Sequence, residues 1–200
     1  MSEWSRVDDD AILPGRACGS CTLCCKLLGI PELGKAKNEW CKYCEIGSGC
    51  RIYDERPAPC REFLCGYLSW EMTGEHWFPA RSKMVIAPEY DGERLVIHVD
   101  PARPNAWREQ PYYSDIKTWA ALAARDLRQI VVSIGNRSIV ILPEEDVDLG
   151  FVQDDERIVI GEVVENGRLR LRAMKIRADD PRLAGAQAGA VYGPSNNPFG

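Results

Sequence analysis

The sequence predicts an α+β fold in two parts, a small cysteine-rich domain of helices and loops followed by an antiparallel sheet with one main helix. Three observations predict this division. All nine cysteines lie between Cys18 and Cys65, in a region dense in glycine, proline and short polar residues. From about Pro79 the pattern changes to runs of β-branched residues separated by turn signals. One stretch, from Tyr113 to Leu127, carries apolar residues at helical spacing.

The cysteine-rich domain is predicted to contain two short helices. A helix over residues 18–28 places three of its cysteines on one face, at positions i, i+3 and i+7. A second helix is predicted to begin after Pro59 and to run to Leu68, because prolines suit the first turn of a helix. Few positions in this region remain for an aliphatic core.

Three hairpins and the main helix make up the predicted second part. The paired strands are residues 84–87 and 95–99, residues 130–134 and 138–142, and residues 157–164 and 168–174. Each pair flanks a turn that contains glycine, and Asp-Gly and Asn-Gly are strong hairpin signals. The chain is therefore expected to divide into a cysteine domain over residues 1–78, a sheet domain over 79–182 and a flexible tail over 183–200.

The charge and hydropathy of the chain argue against two classes of partner. The formal net charge is −5 at pH 7 and is spread over both halves, so no basic surface for nucleic acid is indicated. No stretch approaches the roughly 18 apolar residues that a membrane span requires. The acidic N-terminus also lacks the apolar stretch of a secretory signal, so the protein is expected in the cytoplasm.

The spacing of the cysteines is typical of metal ligands. They occur as Cys18-x2-Cys21-x2-Cys24-Cys25, then Cys41-x2-Cys44, Cys50, Cys60 and Cys65. Two residues between thiols allow both sulfurs to close on one ion from a single backbone turn, and a reducing compartment favours coordination over disulfides. The adjacent Cys24 and Cys25 cannot easily aim both sulfurs at the same ion, so they serve two centres or one of them only packs. Because the domain lacks an apolar core, the binding free energy of the metal, on the order of 10 kcal/mol, is expected to keep it folded.

The residues leave the identity of the metal open. Eight thiolates make two closed zinc tetrahedra, which stabilise small domains without any chemistry of their own. The run from Cys18 to Cys24 equally matches the first part of the bacterial ferredoxin spacing, with Cys60 or Cys65 as the remote fourth ligand of an iron–sulfur cluster. A redox dithiol built on the later CxxC pair is a weaker alternative, because neither a preceding strand nor a helix start is predicted around it.

The cysteine pattern, together with the segment Cys50-Arg51-Ile52-Tyr53-Asp54-Glu55-Arg56-Pro57-Ala58-Pro59-Cys60, resembles the YkgJ-type cysteine-cluster family of zinc- or iron-chelating proteins with a CxxCxxCC domain. The resemblance covers about residues 15–66 and implies metal binding. It implies eight ligands, which are Cys18, Cys21, Cys24, Cys25, Cys41, Cys50, Cys60 and Cys65. Cys44 is a ninth thiol, at a place where the family usually has an apolar residue, and it is therefore predicted to be the expendable one.

Three further residues near the thiols are candidates for a role at the site. Arg56 and Arg61 flank Cys60, where their side chains can hydrogen-bond to thiolate sulfurs. The alternative is that Arg56 pairs with a neighbouring carboxylate and Arg61 is solvated. His76 is a ligand only if it replaces one of the available thiols.

These observations favour a metal-binding module over an enzyme. The chain has two histidines and no recognisable nucleophile motif, which argues against a hydrolase. The sheet domain is expected to serve as a platform for a protein or peptide partner. The alternative functions are those of an iron–sulfur protein in electron transfer or sensing, or of a component of a modifying enzyme.

Overall fold

A computed structural model describes residues 12–89 and 92–183 of the chain. The predicted tail lies outside the described residues from residue 184 onward. The helices of the described part are α1 (Cys24–Leu27), α2 (Ala58–Glu62), α3 (Gly66–Ser69), α4 (Pro79–Ser82) and α5 (Tyr112–Ala123). Its strands are β1 (Cys44–Glu45), β2 (Gly49–Cys50), β3 (Met84–Glu89), β4 (Arg94–Val99), β5 (Gln129–Ile134), β6 (Arg137–Ile141), β7 (Asp146–Phe151), β8 (Glu156–Glu165) and β9 (Arg168–Arg177). Helices and sheets together confirm the predicted α+β class.

The chain divides into two compact units, each built from two segments. The first unit comprises Met1–Ala87 and Ile97–Tyr112, and the second comprises Pro88–Val96 and Tyr113–Gly200. The first unit thus extends past residue 78, where the sequence predicted the division, because the first residues of β3 and the last residues of β4 belong to it.

The predicted helix over residues 18–28 is wrong, because only the four residues of α1 are α-helical there. Cys18 to Cys21 instead form a turn, in which the Cys21 N–H donates to the Cys18 carbonyl oxygen at 2.8 Å. Gly19 in this turn has a φ of +53°, which lies outside the right-handed helical range. The regular spacing of the cysteines therefore does not mark a helix face.

The predicted helix from Pro59 to Leu68 is interrupted. Helix α2 ends at Glu62, the following residues are extended, and α3 begins at Gly66. Gly66 packs against β3, where an added Cβ would lie 2.8 Å from the Cγ2 atom of Ile86. The close approach of the Ile86 side chain to the Gly66 backbone therefore requires glycine at this position.

The cysteine segment is attached to the rest of the first unit by two half-buried cations. The Arg16 guanidinium donates to the Tyr67 carbonyl oxygen at 2.5 Å and to the Thr73 hydroxyl at 2.8 Å. Lys26 on α1 forms an ion pair with Asp100, with 2.6 Å between its Nζ and the carboxylate. Buried apolar side chains of this unit include Leu68, Trp70, Trp77, Met84, Ile86, Ile97, Val99 and Trp107.

The predicted strand pairs and the main helix are confirmed in the structure, while residues 90 and 91 in the first predicted turn lie outside the described residues. Strands β3 to β7 follow one another in a five-stranded sheet, in which β5, β6 and β7 are antiparallel neighbours. Strands β8 and β9, of ten residues each, form a separate antiparallel hairpin. Strand β7 is not among the predicted strands, because its acidic and glycine residues conceal the apolar alternation. The apolar cluster of the second unit consists of Val96, Val131, Val140, Leu142, Ile158 and Ile160.

Candidate metal centre

All nine cysteines lie in the first unit and are free thiols in the structure. Cys65 is buried, Cys18 is exposed and the other seven are half-buried. They fall into two groups, which are joined by the vicinal pair Cys24 and Cys25. Partial exposure in a loop-rich segment leaves these thiols accessible to a metal ion.

The first group consists of Cys18, Cys21 and Cys65. Burial raises the pKa of Cys18, and the nearby Cys21 raises it further. Burial likewise raises the pKa of Cys65 to about 11, and the charges of Cys18 and Cys21 add to this effect. The three sulfurs therefore lie close enough to interact electrostatically, although Cys65 is separated from the other two by more than forty residues of sequence.

Backbone N–H groups donate to two sulfurs of this group. Cys21 accepts from the N–H groups of Leu23 and Ala80, and Cys65 accepts from those of Tyr67 and Leu68. Ala80 belongs to α4, whereas the other three donors follow their cysteine by two or three residues. Hydrogen bonds of this kind favour the thiolate form, in which cysteine binds metals, and tune the bound metal.

The second group, Cys41, Cys44, Cys50 and Cys60, is positioned by β1, β2 and α2. The Cys44 N–H donates to the Cys41 carbonyl oxygen at 2.9 Å, which closes a turn between the two. Cys44 on β1 lies directly opposite Cys50 on β2, so both side chains are on one face of the ribbon. Burial raises the pKa of Cys60, and the charges of Cys25, Cys41 and Cys50 raise it further, which places Cys60 beside this ribbon.

The vicinal pair begins α1 and connects the two groups. The Cys25 carbonyl oxygen accepts the Cys41 N–H at 3.0 Å. A hydrogen bond with the Cys24 thiol and burial both raise the pKa of Cys25. The Cys25 thiol also hydrogen-bonds to that of Cys44 and interacts with Cys18 and Cys21 of the first group. Cys25 therefore lies between the two groups.

A buried lysine that the sequence analysis missed lies beside these thiols. Lys35 is only 9% exposed, and its Nζ donates to the carbonyl oxygens of Lys26, Leu28 and Ala36. Burial lowers its pKa, whereas the nearby thiols of Cys41 and of the vicinal pair raise it. The carboxylate of Glu39 also raises its pKa, although among residues 12–89 and 92–183 Lys35 is not within ion-pair distance of a carboxylate. A lysine in a polar loop gives no sequence signal for such a position.

The hydrogen bonds of Arg56 differ from both predicted alternatives, because they go to carbonyl oxygens, although its charge acts on the thiols. Its guanidinium donates to the carbonyl oxygens of Tyr53, at 2.8 Å, and of Cys60, at 3.5 Å. Its charge opposes the burial that raises the pKa of Cys18 and of Cys60. Arg61 is exposed, and within the described part of the chain its guanidinium makes no hydrogen bond or ion pair, although its backbone N–H donates to the Pro57 carbonyl oxygen at 3.2 Å.

His76 has a packing role in the first unit. Its ring lies against the rings of Tyr112 and Trp77, with centroid distances of 5.7 and 6.1 Å. The Tyr112 hydroxyl donates to the His76 carbonyl oxygen at 3.0 Å. These contacts account for the position of the imidazole without a metal.

The thiols have the chemistry of a metal site but are not closed around a common point. Among the described residues, no three side chains of cysteine, histidine, aspartate or glutamate are already arranged to hold an ion. Cysteine thiolates are nevertheless the donors that both zinc and iron–sulfur clusters select. Since the pKa of Cys44 is raised to about 11, first by burial, and that of Cys65 is raised similarly, metal binding must displace protons.

No family model matches the chain, and no curated protein or solved structure matches it either. The resemblance to the YkgJ-type family therefore depends on the cysteine motifs alone. Within the described ranges, no helix combines the length and the apolar character that crossing a membrane requires.

Proposed function

We propose that residues 18–65 form a metal-binding module that holds zinc or an iron–sulfur cluster through cysteine thiolates. The observation that carries this proposal is the gathering of nine free thiols in a segment with almost no core of its own. Between residues 12 and 64, a fully described stretch, Leu23 and Leu27 are the only buried apolar side chains. Bound metal would supply the missing cross-links between α1, α2 and the loop that contains β1 and β2.

Two cations beside the thiols, the buried Lys35 and the half-buried Arg56, support a site that is negatively charged when it is filled. A buried ammonium such as that of Lys35 is costly unless an anion lies nearby, and the acidic groups that act on it are the thiols of Cys41 and of the vicinal pair, with a further contribution from Glu39. Four thiolates around one Zn²⁺ carry a net charge of −2, which Lys35 and Arg56 would partly offset. The positions of both cations are therefore consistent with deprotonated, metal-bound cysteines.

Elemental analysis of the protein, purified without added metal, tests the proposal. We expect zinc or iron at one or more equivalents per chain. Anaerobic purification with a visible spectrum separates the two candidates, because iron–sulfur clusters absorb visible light and zinc does not. Less than a tenth of an equivalent of either metal, with unchanged folding in excess chelator, would contradict the proposal.

An accessory role also requires a surface for a protein or peptide partner, which we propose for the second unit. The tip of the β8–β9 hairpin places Val164 directly opposite Leu169, and both are exposed apolar residues, at 72% and 62%. Contiguous exposed apolar surface marks sites of protein contact, and these two adjacent side chains are the apolar surface that the hairpin tip offers to a partner. Affinity capture with the wild-type chain and with a Val164→Lys, Leu169→Lys variant tests this role. The proposal predicts a partner that only the wild-type chain retains, and equal capture by both chains counts against this surface.

A further inference from the structure

We propose that Cys44 is a metal ligand and that Cys24 is the thiol left over. The ligands then divide into two sets of four, which are Cys18, Cys21, Cys25 and Cys65 at one centre and Cys41, Cys44, Cys50 and Cys60 at the other. This inference rests on the proposed metal-binding function. It departs from the eight ligands that the family resemblance implies, in which Cys44 is expendable.

The backbone around Cys44 places its side chain among other cysteines. Its N–H closes the turn from Cys41, so these two residues form a CxxC knuckle of the kind that directs two sulfurs to one ion. Its strand register sets it directly opposite Cys50. Cross-strand neighbours have their Cβ atoms about 4.5–5.5 Å apart, within the span of two ligands of one tetrahedral centre.

The hydroxyl group of Thr22 hydrogen-bonds to the sulfur of Cys44 and orients it. Thr22 is buried, its Oγ1 accepts the N–H of Gly47 at 3.2 Å, and its O–H donates to the Cys44 sulfur. Metal ligands are commonly oriented by such a second hydrogen bond. A spare thiol in a small core would not need a donor held in place by the adjoining turn.

The count of thiols in each group gives the division into two sets. With Cys44 the second group has four members, and without it only three. The first group has three members and requires a fourth. Cys25 interacts with Cys18 and Cys21 as well as with Cys44 and Cys60, and it supplies this fourth ligand because the second group is already complete without it. Cys24 then remains, and its thiol is hydrogen-bonded to that of Cys25.

Two matched variants test the division, Cys44→Ser and Cys24→Ser, since both thiols are half-buried. We expect Cys44→Ser to lose about half of the metal bound by the wild-type chain, because one of two centres fails, and Cys24→Ser to retain all of it. Full metal in Cys44→Ser, or loss of metal in Cys24→Ser, overturns the inference. A wild-type chain that contains no metal instead contradicts the proposed function, so the two failures are distinguishable.

Thiol alkylation of the wild-type chain provides a second measurement that does not depend on the folding of a variant. Iodoacetamide is added to the metal-loaded protein, and modification at each cysteine is followed by mass spectrometry. We expect Cys24 to react at least tenfold faster than Cys44, and chelator to remove most of this difference. Equal rates before chelation, or faster reaction at Cys44, contradict the assignment.

Discussion

Residues 12–64 and the second unit are held together in different ways. The former stretch buries two apolar side chains, Leu23 and Leu27, whereas the second unit buries a cluster from several strands that includes Val140 and Leu142. Apolar burial contributes about 25 cal/mol per Å², so the second unit has a driving force of its own that the cysteine segment lacks. The difference implies that loss of metal and loss of apolar packing affect different parts of the chain.

Removal of a ligand should have the largest effect, and only on the cysteine segment. Cys65→Ser replaces a buried thiolate by a hydroxyl that is a poor ligand at neutral pH. We expect loss of metal at its centre together with local unfolding, since structural metal sites contribute on the order of 10 kcal/mol. Metal content and an NMR amide spectrum measure both effects. Ser48→Ala, an exposed change near β2, is the control and should alter neither.

Deletion of apolar packing should have the converse effect on the second unit. Leu142 belongs to the apolar cluster and is 3% exposed, so Leu142→Ala is expected to lower the free energy of unfolding of this unit by about 2–5 kcal/mol. Leu169→Ala, at an exposed position, should change it by less than about 0.5 kcal/mol. Denaturant titration measures both variants. Reduced metal content in Leu142→Ala would contradict the independence of the two regions.

The pH dependence of the free energy of unfolding tests a contribution to the first unit that does not come from metal, namely that of the buried His98 side chain. Burial lowers the pKa of His98 to about 4, from the ordinary value of 6.5. The folded state therefore favours neutral imidazole, and its stability is complete above pH 6.5 and falls as the pH decreases toward 4. The total loss is about 3 kcal/mol. His98→Leu should remove this part of the acid dependence. Acid also releases metal from both chains, so the difference between their free energies of unfolding at each pH isolates the contribution of His98. Identical pH profiles for the two chains would contradict this prediction.

Neutralisation of the buried cation should have a smaller effect, on metal affinity. Lys35→Met retains much of the length and packing of the side chain but removes the charge beside the thiols. We expect affinity in competition with a chelator to fall about tenfold to a hundredfold, as for other residues that support metal ligands. Lys37→Met, an exposed change in the same loop, is the control. Equal affinities for the two variants would show that the charge of Lys35 does not support metal binding.

Local turn chemistry explains which elements the sequence could predict. Glycine-containing turns with β-branched flanks define β5–β6 and β8–β9, because both signals act over a few residues. The helix predicted over residues 18–28 failed since cysteines at helical spacing also suit a turn that contains a glycine of positive φ. Strand β7 depends on pairing with β6 rather than on its own composition.

In the candidate site, likewise, the sequence predicted the features that depend on neighbouring residues and missed those that depend on distant ones. The CxxC spacing predicted which segment carries the thiols, since that pattern is local. The positions of Lys35 and Thr22 depend on carbonyls and thiols brought together by folding, which no spacing indicates. Which of Cys24 and Cys44 is the spare thiol is likewise a question of strand register.

Hydrogen exchange with and without chelator tests the central claim most directly. Peptides from residues 18–65 and from β5, β6 and α5 are followed by mass spectrometry in the wild-type chain, before and after metal removal. We predict that the cysteine segment loses nearly all protection after metal removal, while the second unit retains its own. Unchanged protection in residues 18–65 would contradict the account, because the segment would then be stable without metal.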